Sequence, residues 1–148
     1  MKIYLGADHN GFACKQQLAE LLAQNGYDIV DDGNKKLDPN DDYPQFGARV
    51  AHALLADNDD GSRGILICGS GQGICIAANR FKGIRASLCW SEDEARASRN
   101  DDDCNVLCLP SRYITLEQAE SIALTWLRTP FAGAPRFKRR IRELDELV

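Results

Sequence analysis

Cys68 closes the apolar run Gly64-Ile65-Leu66-Ile67-Cys68 and is followed at once by Gly69-Ser70-Gly71-Gln72-Gly73. Three alternate glycines between a strand and a helix let the backbone approach a ligand closely and aim amide N–H groups at an anion. A thiol abutting such a loop can serve as nucleophile or base; a buried strand-end cysteine before a tight turn is the plainer alternative. Asp8-His9, set in Gly6-Ala7-Asp8-His9-Asn10-Gly11, puts a carboxylate suited to hydroxyl groups beside an imidazole that can donate or carry charge. The same pair could simply form a turn and cap a helix. Arg136 and Arg140 stand one helical turn apart and share a face, so they could clamp one phosphate or form an ordinary solvated face. A further acidic loop, Asn100-Asp101-Asp102-Asp103, completes the set.

The elements that must position these residues follow from hydrophobic patterning. Strands are expected over residues 2–6, 27–30, 63–68, 84–89 and 105–109. Helices are expected over residues 11–25, with Phe12, Leu18, Leu21 and Leu22 inward, from Pro44 to about residue 56, over 74–80, and from Ser91 through 99. Glu94 stands at the capping-box position of the helix that Ser91 starts. Thr115 starts a helix to about residue 128, and a last one covers about 136–147. Five short apolar strands alternating with helices imply a parallel sheet covered on both faces, a Rossmann-like α/β/α sandwich. Ligands bind such sheets at the edge formed by the strand C-terminal ends. The loops at 6–11, 68–73 and 100–103 are expected to converge there.

The 148 residues fit one domain, 1–148, large enough to bury about 68–70% of its unfolded surface. Mean hydropathy of −0.36 and the lack of an apolar run near the ~18 residues of a spanning helix argue against a membrane protein. The N-terminus reaches Asp8 too early for a secretory signal, so a cytoplasmic location is expected. Six cysteines without such a signal point to free thiols. No Cys-x-x-Cys pair occurs and the only histidines are His9 and His52, which argues against a metal site. The net charge of −4 hides a basic stretch over residues 136–142 on an otherwise acidic body. A nucleic-acid partner would need a broader basic field. The glycine loop is not a P-loop, and Ile74 stands where a dinucleotide fingerprint needs its third glycine. Glu92 and Asp93 lie at a suitable distance for a ribose contact, which leaves nucleotide binding as a weaker alternative.

Together, Gly6-Ala7-Asp8-His9-Asn10-Gly11, Asp42-Tyr43-Pro44, the run from Gly64 to Gly73, Ala77-Ala78-Asn79-Arg80, Lys82-Gly83-Ile84-Arg85-Ala86 and Asn105-Val106-Leu107 resemble the family of ribose-5-phosphate isomerase B and its allose- and galactose-phosphate relatives. The resemblance runs in register over nearly the whole chain. It implies interconversion of an aldose and a ketose phosphate through an enediolate, with no cofactor. It makes Cys68 the base that moves the proton between C1 and C2, and gives oxyanion stabilisation to the amides of Gly69, Ser70, Gly71, Gln72 and Gly73. Ser70 is counted with the catalytic residues. The resemblance assigns sugar hydroxyls and phosphate to Asp8 and His9, a pocket wall to Tyr43, and phosphate contacts to Arg112, Arg136 and Arg140. It also implies a homodimer, possibly a tetramer, with the C-terminal helix reaching the neighbouring subunit.

Two departures bear on the substrate. The family's Arg-x-His-Asn-Asp is here Arg99-Asn100-Asp101-Asp102-Asp103, so Asp101 replaces the ring-opening histidine and Asp102 the substrate-binding asparagine. The family's Gly-Gly-Arg-His is here Ala134-Pro135-Arg136-Phe137. A free aspartate, with a pKa of about 3.9, is a poor acid at neutral pH, unless crowding of the three carboxylates raises one of them. An open-chain tetrose phosphate needs no ring opening and is the alternative substrate. A non-catalytic sugar-phosphate binding protein is the other alternative.

Overall fold

The computed structural model describes residues 1–148. Five strands form one parallel sheet: β1 (Lys2–Ala7), β2 (Asp28–Asp31), β3 (Arg63–Cys68), β4 (Ala86–Leu88) and β5 (Val106–Pro110), in the order β2-β1-β3-β5-β4. Six helices cover it: α1 (Phe12–Gln24), α2 (Tyr43–Ala56), α3 (Gln72–Ala78), α4 (Glu92–Asp102), α5 (Leu116–Arg128) and α6 (Pro135–Asp145). None is long and apolar enough to cross a membrane.

Strand side chains alternate between two cores. Ile3, Leu5, Ile65, Ile67, Leu107 and Leu109 face α1, α4 and α5, where Leu18, Leu22, Ala95, Ala123 and Trp126 meet them. Tyr4, Leu66, Cys68, Val106 and Cys108 face α2 and α3, against Phe46, Val50, Leu54 and Ile74. Burying each Leu or Ile side chain stabilises the fold by about 1.5–3 kcal/mol, so the central strands anchor the sandwich from both sides. Because α1 leaves β1 onto one face and α3 leaves β3 onto the other, a crevice opens between the C-terminal ends of β1 and β3.

Local signals explain most helix starts. The Thr115 hydroxyl accepts from the Gln118 N–H at 3.1 Å while Gln118 Oε1 accepts from the Thr115 N–H at 2.8 Å, a complete capping box. At α4 the box is only half made. Ser91 accepts from the Glu94 N–H, but the Glu94 carboxylate accepts from the N–H of Trp90 at 2.8 Å instead of from Ser91. Among the boundaries that shift from expectation are those of β4, α4 and α3. The fourth strand is cut to Ala86–Leu88, because at this sheet edge the Arg85 N–H donates to the Asn105 side chain at 2.8 Å rather than into the ladder. Helix α4 runs on to Asp102, where Asp103 adopts φ +45 and ends it. Helix α3 starts two residues earlier, at Gln72.

Candidate active site

The crevice brings together the residues at the ends of β1, β3 and β5. Cys68 is the last residue of β3 and only 4% exposed. Its carbonyl accepts from the Ser111 N–H at 3.0 Å and from the Ser111 hydroxyl at 3.2 Å, and its sulfur accepts from the Gly71 N–H at 3.1 Å. The thiol is therefore held at one place inside the glycine turn. Gly71 has φ +71, and a Cβ there would lie 3.0 Å from the Leu109 carbonyl carbon, so the turn cannot take another residue unchanged. A Cβ on Gly73 would fall 2.6–2.9 Å from the Tyr43 ring. That close approach lets Tyr43, the first residue of α2, lie over the loop as a wall. Two of the loop amides are already committed, Gly71 to the Cys68 sulfur and Gln72 to the Ser70 hydroxyl at 3.3 Å. An oxyanion must therefore use the remaining amides of Gly69, Ser70 and Gly73.

The loop after β1 supplies the polar groups. Asp8 is 5% exposed, and its Oδ1 accepts from the N–H groups of Asn10 and Gly11 at 3.0 and 3.2 Å. Burial raises the Asp8 pKa; the amide donors and the neighbouring His9 oppose that. The His9 ring presents Nδ1 to Asp41 Oδ1 at 2.9 Å, which leaves Nε2 for a ligand. The Arg112 backbone N–H donates to the Gly69 carbonyl at 2.9 Å, and its guanidinium lies over Gly69 with Nη2 reaching Asn10 Oδ1 at 3.5 Å. His9 and Arg112 thus place two cationic groups beside one another at the mouth of the glycine loop, an arrangement suited to a phosphate.

The acidic loop is not there. A helix that follows a parallel strand runs back across the sheet, so α4 carries residues 100–103 to the opposite edge, where strands begin. Arg85, just before β4, donates through Nε to the Asp102 carbonyl at 3.0 Å and through Nη2 to the Asp103 carbonyl at 2.9 Å. Arg99, itself buried, pairs with Asp103 at 2.7 Å. The expected convergence of three loops on one edge is therefore corrected to two, joined by the Ser111-Arg112 turn. Asp101 accepts from the Asn100 side chain at 2.8 Å. Asp102 has its pKa raised by burial first and by Asp101 second, while Arg140 and Arg85 oppose the rise. That influence puts Arg140 near Asp102, on the same far edge. Arg136 is exposed and stacks on Phe137, 4.4 Å from guanidinium carbon to ring centre. Phe137, Ile141, Leu144 and Val148 form an apolar stripe along α6 and the chain end; Phe137 is buried, but Leu144 and Val148 stand 47% and 71% exposed.

The site residues fall into two groups on one chain. Cys68, the loop 69–73, Asp8, His9, Tyr43 and Arg112 share the C-terminal edge; Asp101, Asp102, Arg136 and Arg140 belong to the other. Sequence patterning missed Asp41, which sits among the acidic residues of the loop before Tyr43 with nothing to distinguish it from Asp38. It also missed Lys15, a fully buried cation on α1 that pairs with Asp31 at 2.6 Å.

The chain matches the Ribose/Galactose Isomerase family over residues 3–144. It is 40% identical over 146 residues to the ribose-5-phosphate isomerase B of Escherichia coli (strain K12), covering 99% of this chain and 95% of that protein. It is 41% identical over 142 residues to the probable ribose-5-phosphate isomerase B of Mycoplasma genitalium, covering 96% of this chain and 92% of that one. Among solved structures, the ribose-5-phosphate isomerase B of Clostridium thermocellum superposes with a TM-score of 0.94 at 41% identity, covering 99% of this chain and 97% of that chain. The M. genitalium enzyme with bound ribulose-5-phosphate does so with a TM-score of 0.94 at 40% identity, covering 99% and 95%. With its fold and almost its whole length matched in this way, the chain belongs to the ribose/galactose isomerase family.

Proposed function

We propose that the protein is an aldose–ketose isomerase acting on ribose 5-phosphate and ribulose 5-phosphate, with Cys68 as the base. The thiolate removes the C2 proton of the aldose and returns it to C1 while the C2 hydroxyl proton passes to O1, and the intervening enediolate carries its charge against the free amides of the glycine loop. The observation that carries this reading is the Cys68 sulfur, pinned by the Gly71 amide inside a loop flanked by His9 and Arg112. Asp8, with one oxygen held by backbone amides, offers the other to a sugar hydroxyl. The phosphate sits between His9, Arg112 and the arginines of α6 from a second copy of the chain. The split of the site residues between opposite edges supports a homodimer as the functional unit, and the exposed Leu144, Leu147 and Val148 beside the arginines supply apolar surface for the contact. Cys68→Ala is expected to lower kcat on ribose 5-phosphate by about 10²–10⁴-fold and to stop solvent-proton exchange at C2. Undiminished conversion would remove the thiol from the mechanism.

Asp101 favours a second reading of the substrate. Its carboxylate, tied to Asn100, stands where the family resemblance puts a ring-opening histidine. A tetrose phosphorylated at its terminal oxygen is open-chain and needs no such acid, so it is the competing substrate for the same proton transfer.

A further inference from the structure

The orientation of His9 is fixed from outside its own loop. Its backbone N–H and its Nδ1 both meet a single oxygen, Asp41 Oδ1, at 2.8 and 2.9 Å. Asp41 is 8% exposed and is itself held, since Oδ2 accepts from the Asn34 side chain at 3.1 Å. Asn34 is anchored in turn. Its carbonyl accepts at 3.0 Å from Lys15 Nζ, which is fully buried and pairs with Asp31. The relay Lys15–Asn34–Asp41–His9 ties α1, the loop after β2 and the catalytic edge into one polar unit. It has no role in the proton transfer itself.

The consequence lies in the chemistry of the ring. With Nδ1 committed to a carboxylate, a neutral His9 carries its proton there and shows a lone pair at Nε2, which repels phosphate oxygens. Only the imidazolium turns Nε2 into a donor. We propose that Asp41 is a positioning residue for the phosphate end of the site, fixing the His9 ring so that Nε2 donates to the substrate's phosphate group. This rests on the reading above that His9 holds phosphate. The side-chain bond to Asp41 is the largest cause of a raised His9 pKa; partial burial opposes it, and the charges of Asp8 and Asp41 add to the rise. The other charge close to the ring's loop is Arg112, through Asn10; Lys15 and Asp31, further back, form a paired unit. A raised value means that the cation persists above its ordinary range near 6.5 and that anion affinity is lost only as pH climbs through the folded value.

The test exploits the presence of just two histidines. His52 lies on the exposed side of α2 against Phe81, and a His52→Gln variant assigns the remaining imidazole resonances to His9. Histidine NMR titrations of the wild type and Asp41→Asn, with and without inorganic phosphate, are paired with kcat and KM on ribose 5-phosphate across pH. In the wild type the His9 midpoint should lie above the ordinary imidazole value of about 6.5 and rise further with phosphate. In Asp41→Asn it should fall by about one pH unit, a tenfold change in proton affinity. KM at pH 7.5 should rise about tenfold with kcat nearly unchanged, and Asp41→Glu should recover part of the loss. A wild-type His9 midpoint at or below about 6.5 overturns the proposal even if the variant fails to fold. So does a fall in the Asp41→Asn midpoint without a change in KM, or a loss of kcat alone. The NMR arm needs no turnover: a midpoint governed by Asp41 and phosphate in a protein inactive on every sugar phosphate upholds the positioning while removing the isomerase reading.

Discussion

Two inactive variants should rescue each other. On one chain, Cys68 closes β3 and Asp102 lies near the strand's start, where Arg63 begins it and feels the charges of Arg99, Asp103 and Arg85. Six strand residues span about 17 Å, further than a five-carbon phosphate can bridge. Arg136→Ala with Arg140→Ala removes two charge-assisted contacts worth about 1.5–3 kcal/mol each, which lowers kcat/KM by about 10²–10⁴-fold. Cys68→Ala is expected to be as damaged. In a two-fold dimer that pairs the C-terminal edge of one copy with α6 of the other, a mixed dimer holds one doubly damaged site and one intact site. Co-expression in equal amounts makes half of the dimers mixed, so the pool should regain about a quarter of wild-type activity, and purified mixed dimers about half. Differently tagged copies allow the mixed species to be isolated and assayed on ribose 5-phosphate. Activity in that species no greater than in either parent would refute a site shared between copies, since a site contained in one chain leaves no intact centre in the mixture.

Asp101→His should raise kcat/KM on ribose 5-phosphate more than on a tetrose phosphate if ring opening is what the aspartate fails to provide; equal effects in a parallel assay of the two sugars would discard that account. Gly71→Ala should destabilise the fold by about 2 kcal/mol or more, because φ +71 costs an L-residue about 1–2 kcal/mol and the new Cβ would meet Leu88 and the Leu109–Pro110 backbone. An unchanged urea midpoint would contradict it.

Much of the scaffold is legible along the chain. The runs at 63–68 and 105–109 read as short strands buried on both faces, and Thr115 marks the start of α5 before any tertiary contact is considered. The glycine turn after Cys68 is equally local, since its chemistry depends on residues adjacent in sequence. The failures arise where local pattern is silent. Leu144 and Val148 continue an apolar stripe yet stand in solvent on one chain, because periodicity says that a face is apolar and not whose surface covers it. Nothing in the local pattern marks Lys15 as buried, yet Asp31 and the Asn34 carbonyl satisfy it in the interior.

The chain by itself determined the alternation of strands and helices, the edge that carries Cys68, and the chemical character of the groups on it. These rest on side-chain burial and turn geometry within a few residues. Only the tertiary structure decided that Asp101 and Arg140 lie across the sheet from Cys68, and which carboxylate in the loop before Tyr43 turns inward to His9. The first follows from the antiparallel return of α4 across the sheet. The second depends on Asn34 and Lys15, brought within hydrogen-bonding distance by packing that no neighbouring residues encode.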